Sequence, residues 1–261
     1  VQSAECVVLR QQDFKERDLL VTFLSRERGR MKGIAKGVKK FTGRGVGRYE
    51  PLTHGVIFYV EKTGSDLVSI RKCDTLPPYL ALQEHYEKYL YAAYFAELLD
   101  RCPIAPPEAA AYFDLLIQGL TAIYNESSLP ELLALRLRFE WGLLALLGLQ
   151  PAITVCLHCG KQLFTRLAPA PHTVSPEPHT FDPESGGVRC PDCRVSGRHI
   201  AELSAGTLAY LATLGVLGAE PQGTPVRPTR RNLQELVDAI TPSLVRQFSR
   251  PPKSLSLLPP A

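Results

Sequence analysis

Two hydrophobic periods divide the chain. Over the first 75 or so residues the apolar positions come as short alternating runs. Residues 4–9 are apolar and β-branched, residues 19–24 set Val21 and Phe23 against Thr22, and residues 31–35 follow a turn at Arg28-Gly29. Further on, Val56, Phe58 and Val60 share one face of a strand with Ile57 and Tyr59 on the other, and residues 67–72 follow a Gly64-Ser65 turn. Period two predicts strands, and five short strands with a long loop between the third and fourth predict a small closed barrel. The OB-fold has this plan; an SH3-like barrel gives a similar pattern.

Pro77-Pro78 ends that regime, and from Leu82 the period becomes helical. Residues 82–101 form one helix, stopped by Cys102-Pro103 and Pro106-Pro107, and residues 108–125 a second, with Tyr112, Leu115, Leu116, Gly119 and Ile123 on one stripe. Ser128 and Glu131 have the spacing of a capping box, with Pro130 in the first turn, so a third helix runs to Leu147. Its ridge of Leu133, Leu137, Trp141 and Leu144 reads as core. Residues 203–217 and 232–248 read as two returning helices, the second capped by Asn232 with Glu235 and kinked at Pro242. The last residues, SRPPKSLSLLPPA, read as extended or frayed. The fold class is therefore α+β and multidomain: an N-terminal OB-fold β-barrel, then an α-helical bundle with an inserted four-cysteine module. The expected divisions are a nucleic-acid-binding barrel over residues 1–79, helices over 80–150, the cysteine module over 151–196, returning helices over 197–250 and a tail over 251–261.

Charge sharpens this picture. The net charge is +4, but residues 1–80 hold fifteen Lys and Arg against nine Asp and Glu, while residues 81–150 hold four against nine. The excess comes from RERGRMKGIAKGVKKFTGRGVGR, residues 26–48, which holds nine Lys and Arg against the single acid Glu27. Its six glycines disfavour a helix, so the cations sit on a loop and the strand leading into it. Such a stretch suits a phosphate backbone, whose counterions are released as Arg28, Arg30, Lys32, Lys36, Lys39, Lys40, Arg44 and Arg48 approach. Phe41 in the loop, and Tyr49 after it, offer faces for stacking unpaired bases. The acidic middle should not bind DNA unaided.

Four of the seven cysteines form two CxxC knuckles, Cys156-Leu-His-Cys159 and Cys190-Pro-Asp-Cys193, thirty residues apart. Two such knuckles make a tetrahedral four-thiolate site, the pattern of one structural Zn2+. Four thiolates leave no open position for catalysis, and His158 reads as a surface residue. An iron–sulfur cluster would use the same ligands. Cys6, Cys73 and Cys102 stand alone and read as small core residues.

Other classes lose ground. No apolar run reaches the length needed to cross a bilayer, the first residues show no secretory leader, and paired knuckles without a disulfide framework point to a reducing cytoplasm. The chain has no GxxxxGK[ST], no GxGxxG after a strand, no GxSxG and no HExxH. His54, His85, His172, His179 and His199 are scattered without evident partners. A non-enzymatic protein is expected.

The order of parts, with the run VVLRQQDFKERDLLVTFLSRERGRMKGIAKGVKK, resembles the RecO family of recombinational repair proteins. Residues 13–20, the hairpin turn ending in Gly29 and the run from Ile34 to Lys40 look like that family's N-terminal signature. The two knuckles with Phe181 and Gly186-Gly187 look like its zinc segment, and Lys253-Ser254 is similar to its C-terminal "KS" element. The proline-rich stretch at 169–178 and Pro242 depart from its pattern. The resemblance implies a cytoplasmic, nucleoid-associated protein that binds single- and double-stranded DNA and anneals complementary strands. With RecR it would load RecA onto DNA coated by single-strand DNA-binding protein. The acidic helices and zinc module would then face protein partners. The rival reading is an RNA-binding or transcription accessory protein; a metal-dependent nuclease finds no clustered carboxylates.

Overall fold

Backbone pairing carries the first strand well past the apolar run that predicts it. In the computed structural model, β1 (Gln2–Phe14) pairs with β4 (His54–Val60) along its apolar half and with β2 (Asp18–Ser25) through its polar half, Arg10 to Asp13 included. The structure describes residues 1–40, 49–61, 63–76, 79–126, 128–163, 177–197, 199–214 and 227–260. These fall into two compact units, Val1–Asn125 with Pro252–Leu258, and Glu126–Pro251 with Pro259–Ala261.

In the first unit β3 (Gly29–Ala35) pairs antiparallel with β2 and parallel with β5 (Leu67–Leu76), which returns to β4. The strand order β1-β2-β3-β5-β4 closes on itself. A closed five-stranded barrel with one parallel pair is the OB-fold, which decides between the two barrels that the alternation allows. Of the two faces available on β4, Ile57 and Tyr59 point inward; they meet Cys6, Val8, Val21, Phe23, Val68 and Ile70. Gly33 makes room for this core, because a Cβ there would stand 2.7 Å from Ile70. The core also takes in Tyr49, leaving its ring 6% exposed and unavailable as a stacking platform.

Helices α1 (Tyr86–Arg101) and α2 (Ala109–Asn125) pack on β1, β2 and β3. That explains why Thr22 and Leu24, which alternate with the inward residues of β2, are nevertheless buried. Gly29 ends the β2–β3 turn at φ +70, and a Cβ there would stand 2.9 Å from the Ile104 carbonyl, so the position needs glycine on both counts. The tail is not frayed. Residues Ser254–Leu257 form a 3-10 turn, and the Glu97 carboxylate on α1 accepts the Lys253 N–H (2.9 Å), the Ser254 N–H (2.9 Å) and the Ser254 hydroxyl (2.6 Å).

The second unit holds α3 (Leu129–Leu146), α4 (Ala205–Thr213) and α5 (Arg230–Val245) with a small sheet, β7 (Gly187–Arg189), β6 (His179–Asp182) and β8 (Ala201–Leu203) in that order. Ser128 caps α3 as its spacing predicts, accepting the Glu131 N–H. Its ridge, Leu133, Leu137, Trp141 and Leu144, is buried. The cap of α5 is Thr229, three residues earlier than the sequence suggests; Asn232 is its capping-box partner. Glu235 instead accepts the Ser204 N–H at the start of α4 (2.8 Å), while the Ser204 hydroxyl accepts the Thr207 N–H. Between α3 and α5 lies a buried ion pair: Arg136 Nε donates to Glu140 (2.7 Å), Arg136 also donates to the Thr241 hydroxyl (2.9 Å), and that hydroxyl donates to Glu140 (2.8 Å).

Candidate nucleic-acid interface and metal centre

Alternation along β3 fixes which cations face outward. Met31, Gly33 and Ala35 turn to the barrel core, so Arg30 and Lys32 project from its outer side. Arg30 donates to the Asp100 carbonyl and lies 3.6 Å from its carboxylate, which Arg10 also approaches at 3.2 Å. Arg28 pairs with Glu61 at 2.7 Å and Arg26 with Asp114 at 2.9 Å. These pairs are solvent-exposed or half-exposed. Such pairs contribute little, typically below about 1 kcal/mol, and a phosphate can replace the carboxylate at small cost. Lys32 and Lys36 are exposed and have no ion-pair partner among the described residues.

After β3 the chain makes a 3-10 turn over Val38–Lys40. Lys39 is half-buried and pairs with Asp13 at 2.5 Å. The side chain of Lys40, and all of Phe41, Arg44 and Arg48, lie outside the described residues. Five of the nine sequence-predicted residues, Arg28, Arg30, Lys32, Lys36 and Lys39, are thus placed on one strand and the turns at its ends. The sequence also gave no sign that His54 has a partner: its Nε2 lies 2.9 Å from Glu5, and its ring is flanked by Tyr79 and Phe113.

The two knuckles close on each other in the second unit. Gly160, at φ +72, donates to the Cys156 carbonyl (3.0 Å) and turns the first knuckle; the second is a 3-10 turn, Pro191–Cys193, in which Cys193 N–H meets the Cys190 carbonyl (3.0 Å). Residues 152–157 are laced to β7 by Ala152 N–H to Gly186 O (2.9 Å), Val188 N–H to Ala152 O (3.0 Å) and Leu157 N–H to Val188 O (3.0 Å). Only glycine fits at 187, where a Cβ would stand 2.4 Å from the Ala152 carbonyl. Between the knuckles, β6 and β7 form a hairpin turned at Gly186; residues 164–176, which hold most of the proline-rich stretch, lie outside the described residues. Lys161 and Asp192 add an exposed bridge from one knuckle to the other at 3.4 Å.

The four sulfurs of Cys156, Cys159, Cys190 and Cys193 lie within 4.8 Å of one another, with Cys159 and Cys190 at 3.8 Å. A tetrahedral ion with Zn–S bonds of about 2.3 Å sets its sulfurs about 3.8 Å apart, so the donor set fits a metal. The electrostatics agree. Burial would raise the Cys156 thiol, but the N–H groups of Cys159, Cys190 and His158 outweigh it and bring it down to about 6. Burial, together with the thiols of Cys190, Cys159 and Cys156, pushes Cys193 up to about 12. One thiolate is favoured and a full set repels itself, which a divalent cation would cure. His158 is exposed on the first knuckle. Cys6, Cys73 and Cys102 are buried, and burial pushes Cys102 up to about 12 despite the opposing Arg30 charge.

No helix among the described residues is long and apolar enough to cross a membrane. Compared with known proteins, residues 1–79 match the family described as Recombination protein O N terminal, and residues 83–255 match Recombination protein O C terminal. A DNA repair protein RecO of Nocardioides sp. is 31% identical over 255 residues, covering 97% of this chain and 96% of the relative. Another, of Anaeromyxobacter dehalogenans, is 33% identical over 235 residues, covering 89% and 87%. A third, of Syntrophomonas wolfei, is 28% identical over 212 residues, covering 81% and 78%. The OB barrel, the helices after it, the four clustered cysteines and these matches agree: the chain belongs to the Recombination protein O (RecO) family of DNA repair proteins.

Proposed function

We propose that this chain is a non-enzymatic mediator of recombinational repair. It binds single- and double-stranded DNA, anneals complementary strands and, with RecR, promotes RecA loading on DNA coated by single-strand DNA-binding protein. The DNA site is Arg28, Arg30, Lys32, Lys36, Lys39, Lys40, Phe41, Arg44 and Arg48. The observation that carries this reading is the pair Lys32 and Lys36: both exposed, Lys32 outward from the barrel on β3 and Lys36 just beyond its end, and both without a carboxylate partner among the described residues. Annealing two polyanions requires that their mutual repulsion be screened while bases stay accessible, and a row of cations on a rigid strand meets the first requirement. No bond to DNA is made or broken, so no catalytic group is needed. The barrel over residues 1–79 carries DNA, the helical parts over 80–150 and 197–250 serve protein partners, and residues 251–261 form the tail.

The metal of the module over residues 151–196 is Zn2+, held by Cys156, Cys159, Cys190 and Cys193. Its role is structural: four thiolates complete the shell, and the two knuckles have few apolar residues of their own to hold them together.

Annealing of complementary oligonucleotides across a salt series tests the reading. Intact protein accelerates annealing; K32A/K36A loses most of that acceleration and flattens the salt slope of binding by about 1.4, at about 0.7 per lost contact on single strands. Protein that binds RNA in preference to DNA and anneals neither would refute it.

A further inference from the structure

Two of the cations proposed to meet DNA are already held by exposed acids from outside the basic run. Arg28, in the β2–β3 turn, donates to Glu61 just past the end of β4 (2.7 Å), and Lys39, in the turn after β3, reaches Asp13 in the polar half of β1 (2.5 Å). The pairs stand beyond opposite ends of β3, with Lys32 and Lys36 between them along the chain.

The fold, not nearness in sequence, makes both pairs. Glu61 lies 33 residues from Arg28. Lys39 is brought to Asp13 because Asp18 Oδ1 accepts the Gly37 N–H (2.9 Å) and the Arg17 carbonyl accepts the Lys39 N–H (3.3 Å), with Val38 between them packed on the barrel core. Yet the side chains of Asp13 and Glu61 are 80% and 44% exposed, and neither has a second side-chain partner among the described residues. Arg30 differs: it donates to the Asp100 main-chain carbonyl at the end of α1 as well as approaching the carboxylate, so that contact also ties strand to helix.

A carboxylate offers a cation the same anionic oxygens as a phosphodiester, and an exposed pair is weak enough for a phosphate chain to displace it. We infer that Asp13 and Glu61 are built-in stand-ins for phosphate: each occupies its cation in the free protein, yields it to the DNA backbone and takes it back as the strand leaves. They are positioning residues that set affinity and release without touching DNA. Such competition suits annealing, in which the protein must let go of the duplex it has made. The inference rests on the DNA-binding reading above and adds to it the acids that oppose binding.

Fluorescence anisotropy of a labelled single-stranded oligonucleotide, titrated with the full chain, tests the inference. D13N and E61Q should each bind on the order of threefold more tightly and D13N/E61Q about tenfold, with release into excess unlabelled strand slowed by a similar factor. E16Q removes the same charge from an exposed acid without an ion-pair partner among the described residues, and should gain less than either. The decisive comparison is a double-mutant cycle: K39Q/D13N should bind as K39Q does, and R28Q/E61Q as R28Q does, because without the cation the acid has nothing to withhold. If D13N and E61Q bind no more tightly than the intact chain, if E16Q gains as much, or if the gain persists once the cation is removed, the acids are not stand-ins; the inference fails and the DNA reading survives. If R28Q and K39Q keep the intact affinity, the inference fails and the DNA site loses those two residues. If the intact chain does not bind DNA at all, both readings fall.

Discussion

Single side chains account for contacts that the periodicity of the chain does not show. Glu97 is a clear case. Its carboxylate is partly buried, which alone would raise its pKa, yet the hydroxyl and N–H of Ser254, the N–H of Lys253 and the Arg101 guanidinium draw it down to about 2. The folded carboxyl thus lies below its ordinary value, so its contribution to stability is complete above about pH 4.5 and disappears as pH falls from there toward 2. The site is partly solvated, so we expect about 1 to 2 kcal/mol rather than the full linkage value. Amide exchange at residues 253–257, corrected for intrinsic rates, should show protection that falls through this window. S254A should already lack part of it at pH 6. Equal protection in S254A and the intact chain would mean that the tail is held by something other than Glu97.

At the level of elements, α3 and α5 are joined by a polar contact as well as an apolar one. Arg136 and Glu140 are 4% and 0% exposed, and Thr241 bonds to both. Removing one member of a buried pair strands the other, so E140A should cost about 3 to 5 kcal/mol. T241V leaves the pair intact but takes one partner from each ion, for about 1 to 3 kcal/mol. Urea unfolding followed by the fluorescence of Trp141, the sole tryptophan and buried in α3, measures both. A loss below 1 kcal/mol in E140A would show that the pair is dispensable. This contact was not legible in the sequence, where Arg136 and Glu140 are two charges in an apolar helix and Thr241 lies a hundred residues away. Alternation did give the five strands, because each buries one face, and the cap at Ser128 was readable because both of its residues are local. Long-range pairing escaped: the polar half of β1, the short strand β8 and the tail contact with Glu97. The clustering of Cys156, Cys159, Cys190 and Cys193 was readable from spacing alone. The cations were readable as a set, but which of them carboxylates engage depends on α1 and α2, whose Asp100 and Asp114 take Arg10, Arg30 and Arg26.

Over the whole molecule, the proposed chemistry is divided by unit. Every described cation of the proposed DNA site belongs to Val1–Asn125, and all four thiols belong to Glu126–Pro251. The proposed metal ligands and the proposed DNA-binding residues have no residue in common, and each barrel strand closes on others of its own unit. Stripping the ion should therefore disorder the knuckles, because four thiols near one another cannot all ionise without a counter-charge and the knuckles lose the bonds that tie them. It should leave the barrel's counterion release as it was. We expect a chelator to abolish amide protection around Cys156–Cys159 and Cys190–Cys193 while the slope of log affinity against log salt for single-stranded DNA stays the same. C156S/C159S should do the same without a chelator. Partner binding should respond in the opposite way: capture of RecR or single-strand DNA-binding protein should weaken in the stripped protein if the second unit is its protein-facing part. A DNA slope that flattens on metal removal would show that the module touches DNA itself, and the division of labour proposed between the barrel and the cysteine module would have to be abandoned.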